Sequence, residues 1–306
     1  MIRKKYRGET DQERIRKFLQ QVFWLNGRRE YSWPLYRWDY WVWHVNANIF
    51  HFDLSAAVFI WENESGQITA VLNPDHPGEA FLQSHPYYRS ASLEVEMLST
   101  AETHYAVAQP DGTQKLMVWC PAGDKLRQDI LLRRGYIRQS EPEFQRRREG
   151  WQPAVDVPLA DGYTIRNLGH DDELPARSWV SWKAFHPAEP DSQYQGWEWY
   201  RNIQRAPLYR RDLDLVAVAP NGEFAGFCTI WYDPDTCTAS LEPVGTHPDH
   251  QRKGVGKALL TEGLRRLRPM GATLITVDSY SERAGALYAS VGFTNYDLSE
   301  PWLKIW

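Results

Sequence analysis

Two stretches of this chain, 162 residues apart, share one pattern. Ser84-His85-Pro86-Tyr87-Tyr88-Arg89 and Thr246-His247-Pro248-Asp249-His250-Gln251 match at the His-Pro pair. Each runs into a helical spacing of apolar residues, through Leu98 and Leu267 respectively. Upstream of each lies a hairpin pattern, with Ala56 to Trp61, a turn at Glu64-Ser65-Gly66 and Ile68 to Leu72 in the first. Leu215 to Ala219, the turn Pro220-Asn221-Gly222 and Phe224 to Tyr232 repeat it. Downstream, the apolar run Leu116 to Cys120 and a helix closing on Gly135-Tyr136 are answered by Leu274 to Val277 and Gly292-Phe293, with 157 residues between the two glycines. Self-similarity on this scale decides the architecture before any single motif does, because each copy must bury its own apolar faces.

The two copies meet in residues 150–162, where Pro153, Pro158 and Asp161-Gly162 break every periodic pattern. The expected division is therefore 1–150 and 151–306. Each unit reads as strand, helices, a β-meander, helix, strand, helix and strand. That order predicts an α/β (α+β) fold in which a mixed sheet carries helices on its faces. Tyr163-Thr164-Ile165-Arg166 is expected to open the second unit and Leu303 to Trp306 to end it as a strand. The run Arg146-Arg147-Arg148 is read as a solvated strand end.

Charge narrows the partners. Residues 1–150 hold 20 Lys+Arg against 19 Asp+Glu, while the whole chain holds 35 against 39 and has a formal net charge of −4. The second half, at −5, is the acidic one. A nucleic-acid binder would show a coherent basic face, so none is expected, and the acidity suits a cationic small molecule or peptide. No apolar run approaches the roughly 18 residues of a membrane span, and no apolar signal segment follows Met1 to Lys5, which predicts a cytoplasmic chain without a membrane partner. Three cysteines, Cys120, Cys228 and Cys237, fit a reducing compartment. A hairpin turning at Asp233 to Thr236 would set Cys237 opposite Tyr232 and Cys228 near Leu241, leaving no bridge. His247 and His250 lack further ligands at metal-site spacing, so no metal is expected. Of the 15 tryptophans, Trp38 and Trp41 share one helical face, as do Trp197 and Tyr200, and both pairs read first as packing.

Chemistry concentrates at residues 244–260. A β-run ends at Pro248, a basic loop bearing Gly254 and Gly256 follows, and Ala258, Leu259, Leu260, Gly263, Leu264 and Leu267 then mark a helix. Unpaired N–H groups at a helix start, glycines that let backbone approach a ligand, and the charges of Arg252, Lys253 and Lys257 together describe a phosphate cradle. It is not a nucleotide P-loop, since Gln251 and Ala258 stand where glycine and a hydroxyl residue are required. Nor is it a dinucleotide fingerprint, because the third glycine position is Leu259.

The remaining pattern, Gln-x-x-Gly-x-Gly over residues 251–256, resembles the acyl-CoA pyrophosphate loop of the GNAT superfamily of N-acetyltransferases. A second motif of that superfamily follows in order, Leu287-Tyr288-Ala289-Ser290-Val291-Gly292-Phe293. The resemblance is clear over residues 215–293 and extends through the repeat to a tandem arrangement of two GNAT-like units, each with a mixed, mostly antiparallel sheet flanked by helices. It implies an acetyl-CoA-dependent N-acetyltransferase acting on an amine by direct attack while both substrates are bound. The alternative is a binding module that senses acyl-CoA without turning it over.

Residue roles follow from the resemblance. Gln251 to Gly256, with Lys257, are to hold the pyrophosphate, and Val244, Gly245 and Thr246 the pantetheine arm, with an N–H there facing the developing oxyanion. Tyr288 is the expected acid that protonates the leaving sulfur, and Glu242 the expected base, although relatives carry that carboxylate where this chain has Ser240. Ser281 stands at a cofactor-contacting asparagine position and is expected to cap the next helix. In the first copy Ser92 and Glu94 replace the loop glycines and Leu131 replaces the tyrosine, so residues 1–150 are expected to be non-catalytic.

Overall fold

The computed structural model describes residues 1–154 and 157–306, so residues 155 and 156 of the join lie outside the described residues. The chain folds as two compact units that are not unbroken halves. One comprises residues 1–41, 45–144 and 297–306, and the other 42–44 and 145–296.

In the first unit the strands lie in the order Ile2–Lys5, Phe59–Glu62, Ile68–Asn73, Glu79–Ser84, Gln114–Pro121 and the C-terminal strand Asn295–Ile305. Pairing is antiparallel except where Glu79 and Ala80 run parallel to Met117 and Val118. Phe59, Trp61, Leu82, Leu98, Leu116, Val118 and Leu131 form its core. Two expectations change here. The predicted strand from Ala56 begins at Phe59, because Asp53 accepts a hydrogen bond from the Ser55 N–H at 2.9 Å and starts a helical turn over Leu54–Ala57. The last strand, read as the end of the second unit, pairs instead with the first unit's Gln114–Pro121, Trp302 opposite Val118, and Trp302 is buried in that core.

In the second unit the order is Thr164–Asn167, Asp214–Val218, Phe224–Asp233, Thr238–Thr246, Leu274–Ser279 and Glu143–Glu149. The helix Val255–Leu267 follows the predicted periodicity. Its Leu259, Leu260 and Leu267 are fully buried, each contributing about 1.5–3 kcal/mol relative to exposure. Gly263 lets it lie close on the sheet, where a Cβ would come within 2.8 Å of Ile230 Cδ1. On the opposite face the helix Leu174–Phe185 is anchored by the fully buried Arg177, whose Nε donates to Asp214 Oδ1 at 2.9 Å. Tyr200 and Tyr209 donate to Asp214 Oδ2 at 2.6 and 2.9 Å.

Three smaller readings are settled by packing. Trp38 and Trp41 are buried with ring centres 5.4 Å apart, and Tyr200 is buried, so these aromatics pack. The cysteine register is corrected: Tyr232 faces Ala239 and Cys228 faces Val244, the turn sits one residue later, and all three thiols are free. Arg148 is not at a solvated strand end. It is buried, donating to the carbonyls of Val291, Gln152 and Pro153. Among the described residues no helix is long and apolar enough to cross a membrane.

Candidate active site

The site begins with a fault in one strand. Along Thr238–Thr246, Leu241 pairs with Ile230 and Val244 with Cys228, so Glu242 and Pro243 together oppose Thr229 as a bulge. A bulge bends its strand, and Pro243 has no N–H to offer a ladder. On the other edge the parallel register with Leu274–Ser279 runs only from Thr238 to Ser240. The strands part beyond that point. A cavity of about 560 Å³ opens there, lined by Val244, Gly245, Thr246, Gln251, Arg252, Gly254, Val255, Gly256, Lys257, Ser281 and Tyr288.

The helix Val255–Leu267 aims its N-terminus into this cavity. Ala258 N–H makes the first helical bond, to Gly254 C=O at 2.9 Å, and Gly254 provides no side-chain cap. Preceding N–H groups are thus placed to donate to an anion. Gly254 has φ of +78°, a left-handed conformation costly for other residues. Gly256 keeps the floor clear, since a Cβ would stand 3.3 Å from Leu287 Cδ2 and 3.4 Å from Thr246 Oγ1. The donor set is cationic and rich in backbone N–H, with Arg252, Lys257 and Arg283 on the rim, which fits a diphosphate.

Gly245 holds the splayed strand against its neighbours, as a Cβ there would lie 2.5 Å from the Phe227 ring and 2.8 Å from Ala184 Cβ. Gly245→Ala is expected to lower unfolding free energy by about 1–3 kcal/mol, measured by denaturant titration. An unchanged midpoint would show that the helix Leu174–Phe185 yields freely.

Tyr288 projects from the helix Glu282–Ala289 and is 7% exposed. Gly292, at φ of +97°, ends that segment, and Phe293 N–H returns to Tyr288 C=O at 3.1 Å. The Tyr-x-x-x-Gly-Phe spacing is therefore a helix stop that fixes the tyrosine. Burial pushes the phenol's pKa above its ordinary value, reinforced by Glu242, Cys228 and Asp278 and opposed by Arg146. Ser281 Oγ accepts from Ala284 N–H at 3.2 Å, the expected cap. Burial also pushes the Cys228 thiol up, which disfavours the thiolate a nucleophile needs.

Two of the expected residues stand outside the lining. Lys253 donates to Asp249 C=O at 3.0 Å, and the half-buried Glu242 has its carbonyl taken by Trp231 Nε1. Ala184, Phe185, Arg283 and Ala284 line the cavity without having been singled out in the sequence, and His250, expected to bind nothing, lines it too. Of these, only Arg283 carried a signal, a cation two residues after Ser281. Elsewhere, Asp75, His76 and Glu79 of the first unit converge, a grouping that spacing alone did not reveal. The Arg37 guanidinium lies 3.6 Å from Asp75 and Trp119 Nε1 donates to Glu79.

Residues 175–293 match the acetyltransferase (GNAT) family. The chain is 27% identical over 254 residues to a mycothiol acetyltransferase of Paenarthrobacter aurescens, covering 77% of this chain and 73% of that protein. It is 26% identical over 273 residues to another from Arthrobacter sp., covering 81% and 79%. In fold it is similar to a GCN5-related N-acetyltransferase from Sphaerobacter thermophilus, with TM-score 0.68, 16% identity and coverage of 99% and 95%. A tandem GNAT protein from the clavulanic acid biosynthesis pathway is similar at TM-score 0.67 and 15% identity, covering 99% and 98%. With the splayed strand, the cradle and the tyrosine in place, the match of residues 175–293 to the acetyltransferase (GNAT) family and the curated acetyltransferase relatives support an acetyl-CoA-dependent acyltransferase, in a chain whose fold is similar to that of a tandem GNAT protein.

Proposed function

We propose that the second unit moves an acetyl group from acetyl-CoA directly to an amine held beside it. The observation that carries this reading is the single cavity wall on which the open strand edge at Val244 to Thr246, the helix start at Val255 and the Tyr288 side chain meet. The thioester supplies the acetyl group. Backbone N–H groups of the loop and helix start, with Arg252 and Lys257, hold the diphosphate, and the edge at Val244 to Thr246 aligns the arm. Tyr288 keeps its proton until sulfur departs and donates it there. Glu242 receives the amine proton, directly or through water.

The names of the relatives nominate a mycothiol-related amine as the first acceptor to test. The expected result is acetyl-CoA-dependent release of free CoA thiol with that acceptor, above the rates with a polyamine, an amino acid and a peptide N-terminus. No release above background with any amine would overturn the proposal.

The first unit is proposed to be non-catalytic because it carries its own anion. Glu94 occupies the first turn of the helix Ala91–His104 and is fully buried. Its carboxylate accepts from Arg127 Nε at 2.9 Å, Arg89 Nε at 2.6 Å and the Ser84 hydroxyl at 3.0 Å. Ser90 caps the helix through Leu93 N–H, and the buried Leu131 has no proton to give. Cations that could bind a phosphate are thus already neutralised.

A further inference from the structure

The loop from His247 to Gly254 ties itself together locally. His250 N–H donates to His247 C=O at 2.9 Å, Asp249 N–H to His247 Nδ1 at 3.3 Å, and Lys253 Nζ to Asp249 C=O at 3.0 Å. His247 N–H ties the start of the loop to the sheet, donating to Ala225 C=O at 2.9 Å, while these local bonds shape the rest without fixing where it stands. Arg252, at φ of +65°, adds backbone strain that something must hold. Three side chains from elsewhere in the unit reach it, Glu223 facing His250 at 4.0 Å and two others making closer contacts. Arg283 donates to Gln251 Oε1 at 2.7 Å, and Tyr163 meets both His250 and Lys253.

Tyr163 comes from the segment before the strand Thr164–Asn167 and packs against the core that supports the helix Val255–Leu267. Its hydroxyl lies 2.8 Å from His250 Nδ1, its ring meets the imidazole edge-on at 5.7 Å and 77°, and the Lys253 ammonium sits 5.9 Å from its ring centre. His250 Nε2 faces the Glu223 carboxylate at 4.0 Å. With the imidazole proton assigned to Nε2 by that neighbour, Nδ1 is the acceptor and the Tyr163 hydroxyl donates. His250 itself lines the cavity.

We propose that Tyr163 is a positioning residue for coenzyme A, bolting the diphosphate loop to the core through His250 and Lys253 so that the loop's N–H groups are aligned before the ligand arrives. This rests on the acetyl-CoA reading of the cavity. Preorganisation of this kind raises affinity by removing the ordering cost of binding. Its loss should therefore appear in ligand binding and leave the acetyl-transfer step alone.

Tyr163→Phe retains the ring, its packing and the contact with Lys253, and removes only the hydroxyl. The expected result is a rise of about five- to tenfold in both Kd and KM for acetyl-CoA, the size of one lost hydrogen bond, with kcat unchanged. In Tyr163→Phe/His250→Ala the rise should match the larger single effect within about twofold, since both changes break one link. If wild-type protein binds acetyl-CoA but Tyr163→Phe leaves Kd and KM unchanged, or the double variant shows the product of the single effects, the positioning role is overturned and the cavity assignment stands. If wild-type protein takes up no acetyl-CoA, the cavity assignment falls and this role with it.

Discussion

Tyr288→Phe is expected to lower kcat by about 10²-fold or more, the range typical of losing a general acid, while acetyl-CoA binds as before. The phenyl ring keeps the buried edge-to-face contact with Phe293, 6.4 Å between centres, so the fold has no reason to change. Only the hydroxyl, and with it the proton, disappears. Burial, helped by Glu242, Cys228 and Asp278, raises the phenol's pKa, which widens the pH range in which that proton is present. The acid form should then persist past the ordinary phenol value of about 10, and kcat should show no alkaline loss assignable to Tyr288 below about pH 9. The check is kcat against pH for both proteins. Equal turnover at neutral pH would remove Tyr288 from this role, whereas an alkaline limb near pH 8 that vanishes in the variant would overturn the raised pKa and leave the role in place.

Glu94→Ala should be among the most destabilising single changes in the first unit. It strips the carboxylate from Arg127, which is 2% exposed, and removing one partner of a buried ion pair costs about 3–5 kcal/mol. The pH dependence has a definite sign. Burial opposes the charged form of Glu94, but Arg127 and Arg89 outweigh it and hold the carboxyl down to about 2. A folded pKa below the unfolded one gives stability that is complete above the unfolded value of about 4.3 and is lost as pH falls toward 2. Glu94→Gln should therefore be less stable than wild type at pH 7, with the gap narrowing between about pH 4 and 2. Denaturant titrations at several pH values measure it. A gap that is absent at pH 7 or constant down to pH 2 would show that Glu94 is not the anion those arginines hold.

Local pattern exposed much of this molecule and hid what depends on partners. The loop, its helix and the Tyr-x-x-x-Gly-Phe stop were legible because each rests on short-range requirements: a positive φ at Gly254, a 3.6-residue period through Leu267, and a return bond from Phe293 to Tyr288. Strand partnership is a long-range choice, so nothing local told that Trp302 would lie opposite Val118. A run of three arginines carries no sign of burial, which Arg148 acquires only because carbonyls of Val291, Gln152 and Pro153 converge on it. The cysteine register moved mainly because the turn falls one residue later; the bulge at Glu242-Pro243 added one residue more, and that bulge could have been suspected from the proline alone. Ala184 and Phe185 line the cavity because Arg177 anchors their helix to Asp214, a pairing 37 residues long in sequence.

Calorimetric titration of the intact chain with acetyl-CoA tests the assignment of the cradle most directly. Saturable binding at one site per chain is expected, since Glu94 fills the corresponding place in the first unit, and Gly256→Asp should abolish it by setting a carboxylate beside the diphosphate. Absence of binding, two equivalent sites per chain, or unimpaired binding by Gly256→Asp would contradict the account.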